Sequence, residues 1–153
     1  TLLIVVSTVA ILLAIIFALQ PDRKPKLLID AAYRGDLKSV KDLLAKGAPV
    51  DFHDGSSGTP LMYAVGHMDM IKALVEAGAN INERSRLGRT PLMWAANDGH
   101  IDVIRYLLKK GANPALLDDN GESAAGLAEK NGFKAIAATL RSFNAPPKSG
   151  KQP

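Results

Sequence analysis

The sequence predicts an all-α protein: a solenoid of about four helix-turn-helix units preceded by one transmembrane helix. Three observations lead there. Residues 1–19 contain no charge, no Gly and no Pro. Beyond residue 26, short motifs return at spacings of 31 to 33 residues. Apolar residues make up 47% of the chain while aromatics reach only 5%, a balance that favours helices over an aromatic-packed sandwich.

The same composition excludes several functions. With no cysteine among 153 residues, disulfide scaffolds, thiolate zinc sites, iron–sulfur clusters and cysteine nucleophiles are ruled out together. The net charge of +4 comes from 19 basic and 15 acidic side chains spread along the chain after residue 20. Nucleic-acid binding calls for a concentrated basic stripe, so no nucleic acid is expected as partner.

Residues 1–20 open the chain as a membrane anchor helix. Thr1 to Leu19 as a helix would measure about 28 Å, close to the roughly 30 Å core of a bilayer. A cleavable signal peptide is the competing reading, but the apolar run is long for one and Ile16 spoils the small-residue site before Ala18. Ser7, Ala10, Ala14 and Ala18 share a face, a spacing that lets another membrane helix approach closely and that chance also produces. Residues 21–25 form a basic juxtamembrane linker. Arg23, Lys24 and Lys26 against Asp22 place the following domain in the cytoplasm by the positive-inside rule. A basic stretch ahead of Thr1 would reverse that orientation and make the domain periplasmic. The expected localisation is therefore a single-pass protein of the plasma or bacterial inner membrane.

The remainder repeats itself. Gly-Ala recurs at Gly47-Ala48, Gly78-Ala79 and Gly111-Ala112, and Thr-Pro-Leu-Met at Thr59–Met62 and Thr90–Met93. Gly-His, a hydrophobic residue and Asp return at Gly66–Asp69 and Gly99–Asp102. Each type has a physical role. Thr caps free amides at a helix start, and Pro at the first helical position sacrifices no hydrogen bond. Ala64, Ala95 and Ala96 let the first helix sit close to its partner. The second helices carry apolar stripes at Met70, Ile71, Leu74 and Val75, then at Val103, Ile104, Leu107 and Leu108. The Gly that follows ends the helix.

This order of motifs closely resembles the ankyrin repeat. The clearest copy runs from Gly88-Arg89-Thr90-Pro91-Leu92 through Gly99-His100 to Gly111-Ala112-Asn113. The resemblance covers residues 26–144, in units of about 26–52, 53–81, 82–114 and 115–144. The terminal units are degenerate caps: Lys26-Leu27 and Ser123-Ala124 replace Thr-Pro. Helices are expected near Leu27–Tyr33, Leu37–Lys46 and Phe133–Leu140, and residues 145–153 read as a flexible tail. Two departures stand out. Met62 and Met93 replace the family's His, which should drop a hydrogen bond in favour of adaptable packing. The second unit runs eight residues from Thr59 to His67 where the third runs ten from Thr90 to His100, so its inter-helix turn should be two residues short.

Chemistry is not expected. His53, His67 and His100 are too far apart to form a metal site, and the two in Gly-His pairs should bond backbone in a turn. Gly55-Ser56-Ser57-Gly58 lacks the Lys of a phosphate loop and the strand of a nucleophile elbow, and reads as a hairpin tip. No cofactor, metal, catalytic residue or small-molecule substrate follows.

What the resemblance implies is protein recognition through a concave face of hairpin tips and exposed first-helix positions. On this sequence the first-helix positions are Tyr33, Arg34, Tyr63, Trp94, Asn97 and Asp98. The tips hold His53, Asp54, Arg84, Ser85, Arg86, Leu87 and Arg89, then Asp118, Asp119 and Asn120. Tyr63 and Trp94 occupy one position in consecutive units and suit a binding hot spot, since aromatics bury large area while keeping a polar handle. Their competing role is to fill gaps between first helices. Arg84, Arg86 and Arg89 form a basic tip for an acidic partner, or a solvated loop. The expected function is a membrane-anchored interaction module, an accessory or scaffolding subunit of a membrane protein complex, touching the bilayer through residues 1–20. The second reading is a periplasmic protective factor released by signal cleavage.

Overall fold

In the computed structural model, residues 23–53, 55 and 58–144 are described. They form four successive helix pairs: α1 (Arg23–Arg34) with α2 (Leu37–Ala45), α3 (Pro60–Tyr63) with α4 (Met68–Glu76), α5 (Pro91–Asp98) with α6 (Ile101–Lys109), and α7 (Ala124–Lys130) with α8 (Lys134–Asn144). The first helices α1, α3, α5 and α7 touch in succession, and α2, α4 and α6 form a second row behind them. The all-helical repeat architecture expected from the motifs is present. Among the described residues the sole β pairing is an isolated bridge between Leu117 and Ser123.

Register explains the core. Leu28, Leu61, Leu92 and Ala125 fall at one position of the four first helices, and Val40, Ile71, Ile104 and Ala137 at one position of the four second helices. All eight are buried in a single cluster. Emptying one Leu or Ile from such a column costs roughly 2–5 kcal/mol, because neighbours on both sides lose contacts. The fourth unit fills both columns with Ala, so its two helices can approach more closely.

The helix starts are capped unequally. Asp36 begins α2 by accepting from the Ser39 N–H at 3.1 Å and the Ser39 hydroxyl at 2.6 Å. Those two bonds hold its carboxyl below the ordinary value of 3.8. Thr90 begins α5 with a reciprocal pair: its hydroxyl accepts from the Met93 N–H, and the Met93 sulfur accepts from the Thr90 N–H, both at 3.4 Å. Met93 therefore keeps a weak hydrogen bond that the Met substitution was expected to lose. Thr59, at the same place before α3, makes no cap, and its buried hydroxyl has no partner.

Two further ladders join the units. In the first three units, the glycine before the second helix faces a ring from the next unit. A Cβ placed on Gly35 would stand 2.8 Å from the His67 ring, and one on Gly99 would stand 2.6 Å from the Phe133 ring. His100 occupies the same place against Gly66, at 3.8 Å. His67 and His100 do not cap the helices that follow them. The expected turn hydrogen bond thus gives way to ring packing across a unit boundary. In the second ladder, the Asp51 carboxylate accepts from the Asn80 N–H at 3.0 Å. One unit on, Asn82 accepts from the Asn113 N–H at 2.8 Å and donates to the Gly111 carbonyl at 3.2 Å.

Three expectations need correcting. The turn of the second unit is not the shorter one: residues 64–67 connect α3 to α4, where only 99–100 connect α5 to α6. The two missing residues are taken from the helix, as α3 has four residues where α5 has eight. Helix α1 begins at Arg23, earlier than expected, with Pro25 accommodated in its first turn, where a missing amide costs nothing. The placement as a single-pass membrane protein is overturned, since no helix among the described residues is long and apolar enough to cross a membrane. The longest, α1, has 12 residues, about 18 Å of rise against a core of roughly 30 Å. It also carries Lys24, Lys26, Asp30 and Arg34. The proposed anchor, residues 1–20 with Ser7, Ala10, Ala14 and Ala18, lies outside the described residues, as does the tail 145–153.

Candidate protein-binding face

Side chains on the row of first helices are brought together by the stacking of the units. Tyr63 and Trp94 share a register position, and their rings lie 6.4 Å apart at 42°. Tyr33 falls one turn further along its helix than they do, at the position of Asn97. It nevertheless meets Tyr63 edge to face, at 6.4 Å and 84°. Three rings therefore run in contact across three units. Tyr33 is 68% exposed, while Tyr63 and Trp94 are half-buried. The Trp94 indole N–H is enclosed without a hydrogen bond, so Trp94 presents ring surface and keeps its donor inside.

At the Tyr33 end the ladder opens into a groove of about 470 Å³, lined by Lys26, Ile29, Asp30, Tyr33 and Tyr63. Four of these recur on α1 at spacings of three and four residues, which puts them on one face. Arg34 pairs with Asp30 one turn earlier. At the other end, Asn97 donates to Asp98 at 2.8 Å and accepts from Asn131 at 3.1 Å. Asn97 thus ties the third unit to the fourth, and Asp98 stays exposed.

The hairpin tips are arranged differently from the expected basic cluster. Arg84 donates to the Leu117 carbonyl at 2.9 Å and to Asp119 at 3.4 Å. Arg89 donates to Asp118 at 3.2 Å. Two of the three guanidinium groups are thereby committed to the next tip, while Arg86 reaches the Gly55 carbonyl at 3.5 Å from an exposed position. Ser85 and Asp118, read from sequence as surface tips, are buried braces. The Ser85 hydroxyl accepts from Leu87 and Arg89 N–H groups, and the Asp118 carboxylate accepts from those of Asn120 and Glu122. Burial would raise the Asp118 carboxyl, but the Glu122 amide, Arg89 and the Asn120 amide hold it below 3.8. Gly88 (φ +72°) makes the turn possible, since a Cβ there would collide with both Arg84 and Asp119. His53 bonds Glu83 at 3.2 Å. Asp54 lies outside the described residues, and no cluster able to hold a metal occurs among those described.

Sequence reasoning missed Lys26, Ile29 and Asp30. Their spacing with Tyr33 was the available signal, but it pointed to a functional face only once Tyr63 was known to close the groove.

The family model for ankyrin repeats matches the chain in three copies, over residues 28–118 and 66–150. An ankyrin repeat protein of Rickettsia bellii is 37% identical over 119 residues, covering 75% of this chain and 66% of its own. Protein phosphatase 1 regulatory subunit 27 of Mus musculus is 35% identical over 99 residues, covering 63% and 64%. An Arabidopsis thaliana protein named as an E3 ubiquitin-protein ligase, XBAT34, is 32% identical over 128 residues, or 80% of this chain. This chain spans 34% of that plant protein's length.

Proposed function

The chain belongs to the ankyrin-repeat family, whose stacks are protein-interaction modules, and we infer that this one binds another protein along its first-helix face as an accessory or scaffolding subunit. The observation that carries this reading is the contact ladder Tyr33–Tyr63–Trp94, with Tyr33 68% exposed. Rings locked against one another lose little freedom when a partner covers them, so their buried area converts efficiently into affinity. Asn97 and Asp98 extend the face toward the fourth unit, and Arg34 borders it at the first. A regulatory-subunit name on the mouse relative supports the accessory role.

The test is affinity capture with the full chain and its double variant Tyr63→Ala/Trp94→Ala, followed by mass spectrometry and circular dichroism. Capture should be lost while helical content stays. Capture that survives the double change sinks the first-helix face as the interface.

A further inference from the structure

The groove at the Tyr33 end has a polarity of its own. Its floor is apolar, built from Ile29, Tyr33 and Tyr63. Two charged groups of opposite sign line it, and among the described residues only one of them is ion-paired. Asp30 is paired with Arg34 on its own helix, whereas Lys26 is exposed and has no ion pair among the described residues. Among the described residues, the site therefore offers apolar surface beside one cation that makes no ion pair. Its volume of about 470 Å³ falls within the roughly 300–1,000 Å³ typical of ligand clefts.

We propose that this groove takes a large apolar side chain flanked by a carboxylate on a partner protein: the apolar group lies on Tyr33 and Ile29, and the acid pairs with Lys26. This rests on the first-helix face being the interface and assigns the chemistry recognised at one end of it. Residues 145–153 carry Lys148 and Lys151 with no Asp or Glu, and residues 1–20 carry no charged side chain. Neither stretch therefore supplies a side-chain carboxylate for Lys26, and Asp22 lies outside the described residues.

The test is selection of random peptides displayed on phage, with the full 153-residue chain as bait, in wild type, Lys26→Glu and Tyr33→Ala. Wild type should enrich peptides with Asp or Glu near Phe, Trp or Leu. Lys26→Glu should switch the enrichment to Lys or Arg, weakening a synthetic wild-type-selected peptide by about fivefold in titration. Tyr33→Ala should weaken that peptide by more than about tenfold while leaving helical content unchanged, since Tyr33 is exposed. No enrichment, enrichment without an acid, or an acid preference that persists in Lys26→Glu overturns the proposal. So does a homodimer in sedimentation that Lys26→Glu dissolves, because the groove would then hold a second copy. Should Tyr63→Ala/Trp94→Ala abolish partner capture while Lys26→Glu and Tyr33→Ala leave it intact, the groove is dismissed and the first-helix face stands. Should none of these changes affect capture, both fail.

Discussion

Phe133 packs on Gly99 so tightly that a Cβ on that glycine would lie 2.6 Å from its ring. Gly99 also sits at φ +80°, closing helix α5 in the left-handed region. One residue thus ends a helix and admits the next unit's aromatic ring.

Gly99→Ala should therefore destabilise by about 2–4 kcal/mol, combining left-handed strain with displacement of Phe133. Gly66→Ala is the control, as Gly66 has no positive φ and its nearest neighbour would be His100 at an ordinary 3.8 Å. It should change stability by no more than about 0.5 kcal/mol. Urea denaturation of both variants checks the contrast, and equal costs would refute the ring-on-glycine account.

Asp118 should make the stack acid-sensitive. Its folded carboxyl lies below the ordinary 3.8, so its contribution is full above that value and is lost as pH falls through the lower folded one. Asp118→Ala leaves the amides of Asn120 and Glu122, and Arg89, without their acceptor, at a cost of about 2–3 kcal/mol near neutral pH. Measured from pH 7 down to about 2.5, the gap between wild type and variant should close below the ordinary carboxylate range. A gap independent of pH would show that the carboxylate charge is not what matters.

The two Thr-Pro starts should respond oppositely to loss of the hydroxyl. Thr90→Val removes a working cap and should cost about 1 kcal/mol. Thr59→Val removes a buried hydroxyl with no partner, so it should be neutral or stabilise by up to about 1 kcal/mol. Thermal melts of the pair decide, and a Thr59→Val loss equal to that of Thr90→Val would mean that Thr59 does cap α3.

Asn82→Ala removes an acceptor for Asn113 and a donor to Gly111, bonds that cross from the second Gly-Ala turn to the third. About 1–2 kcal/mol should be lost. Amide exchange should rise first at Asn113, beside the cut. Uniform acceleration throughout the stack would argue against a local brace.

Much of this architecture could be read from the chain alone, because it depends on local chemistry repeated at a fixed spacing. Thr-Pro starts, Gly-ended second helices and apolar stripes specify each helix pair through its own residues. The period of 31 to 33 then says that the pairs stack. What depends on partners from a neighbouring unit could not be read this way. Arg84 and Arg89 look like a free basic tip until Asp118 and Asp119 of the next hairpin are seen to hold them. The histidines of the Gly-His pairs look like turn residues until Gly35 and Gly66 are found beneath them. The groove at Lys26 has the same origin: α1 supplies one wall, but Tyr63 arrives from 30 residues further along the chain. Repetition makes local structure legible, whereas the burial, pairing and exposure of each side chain were decided by which unit lies against it.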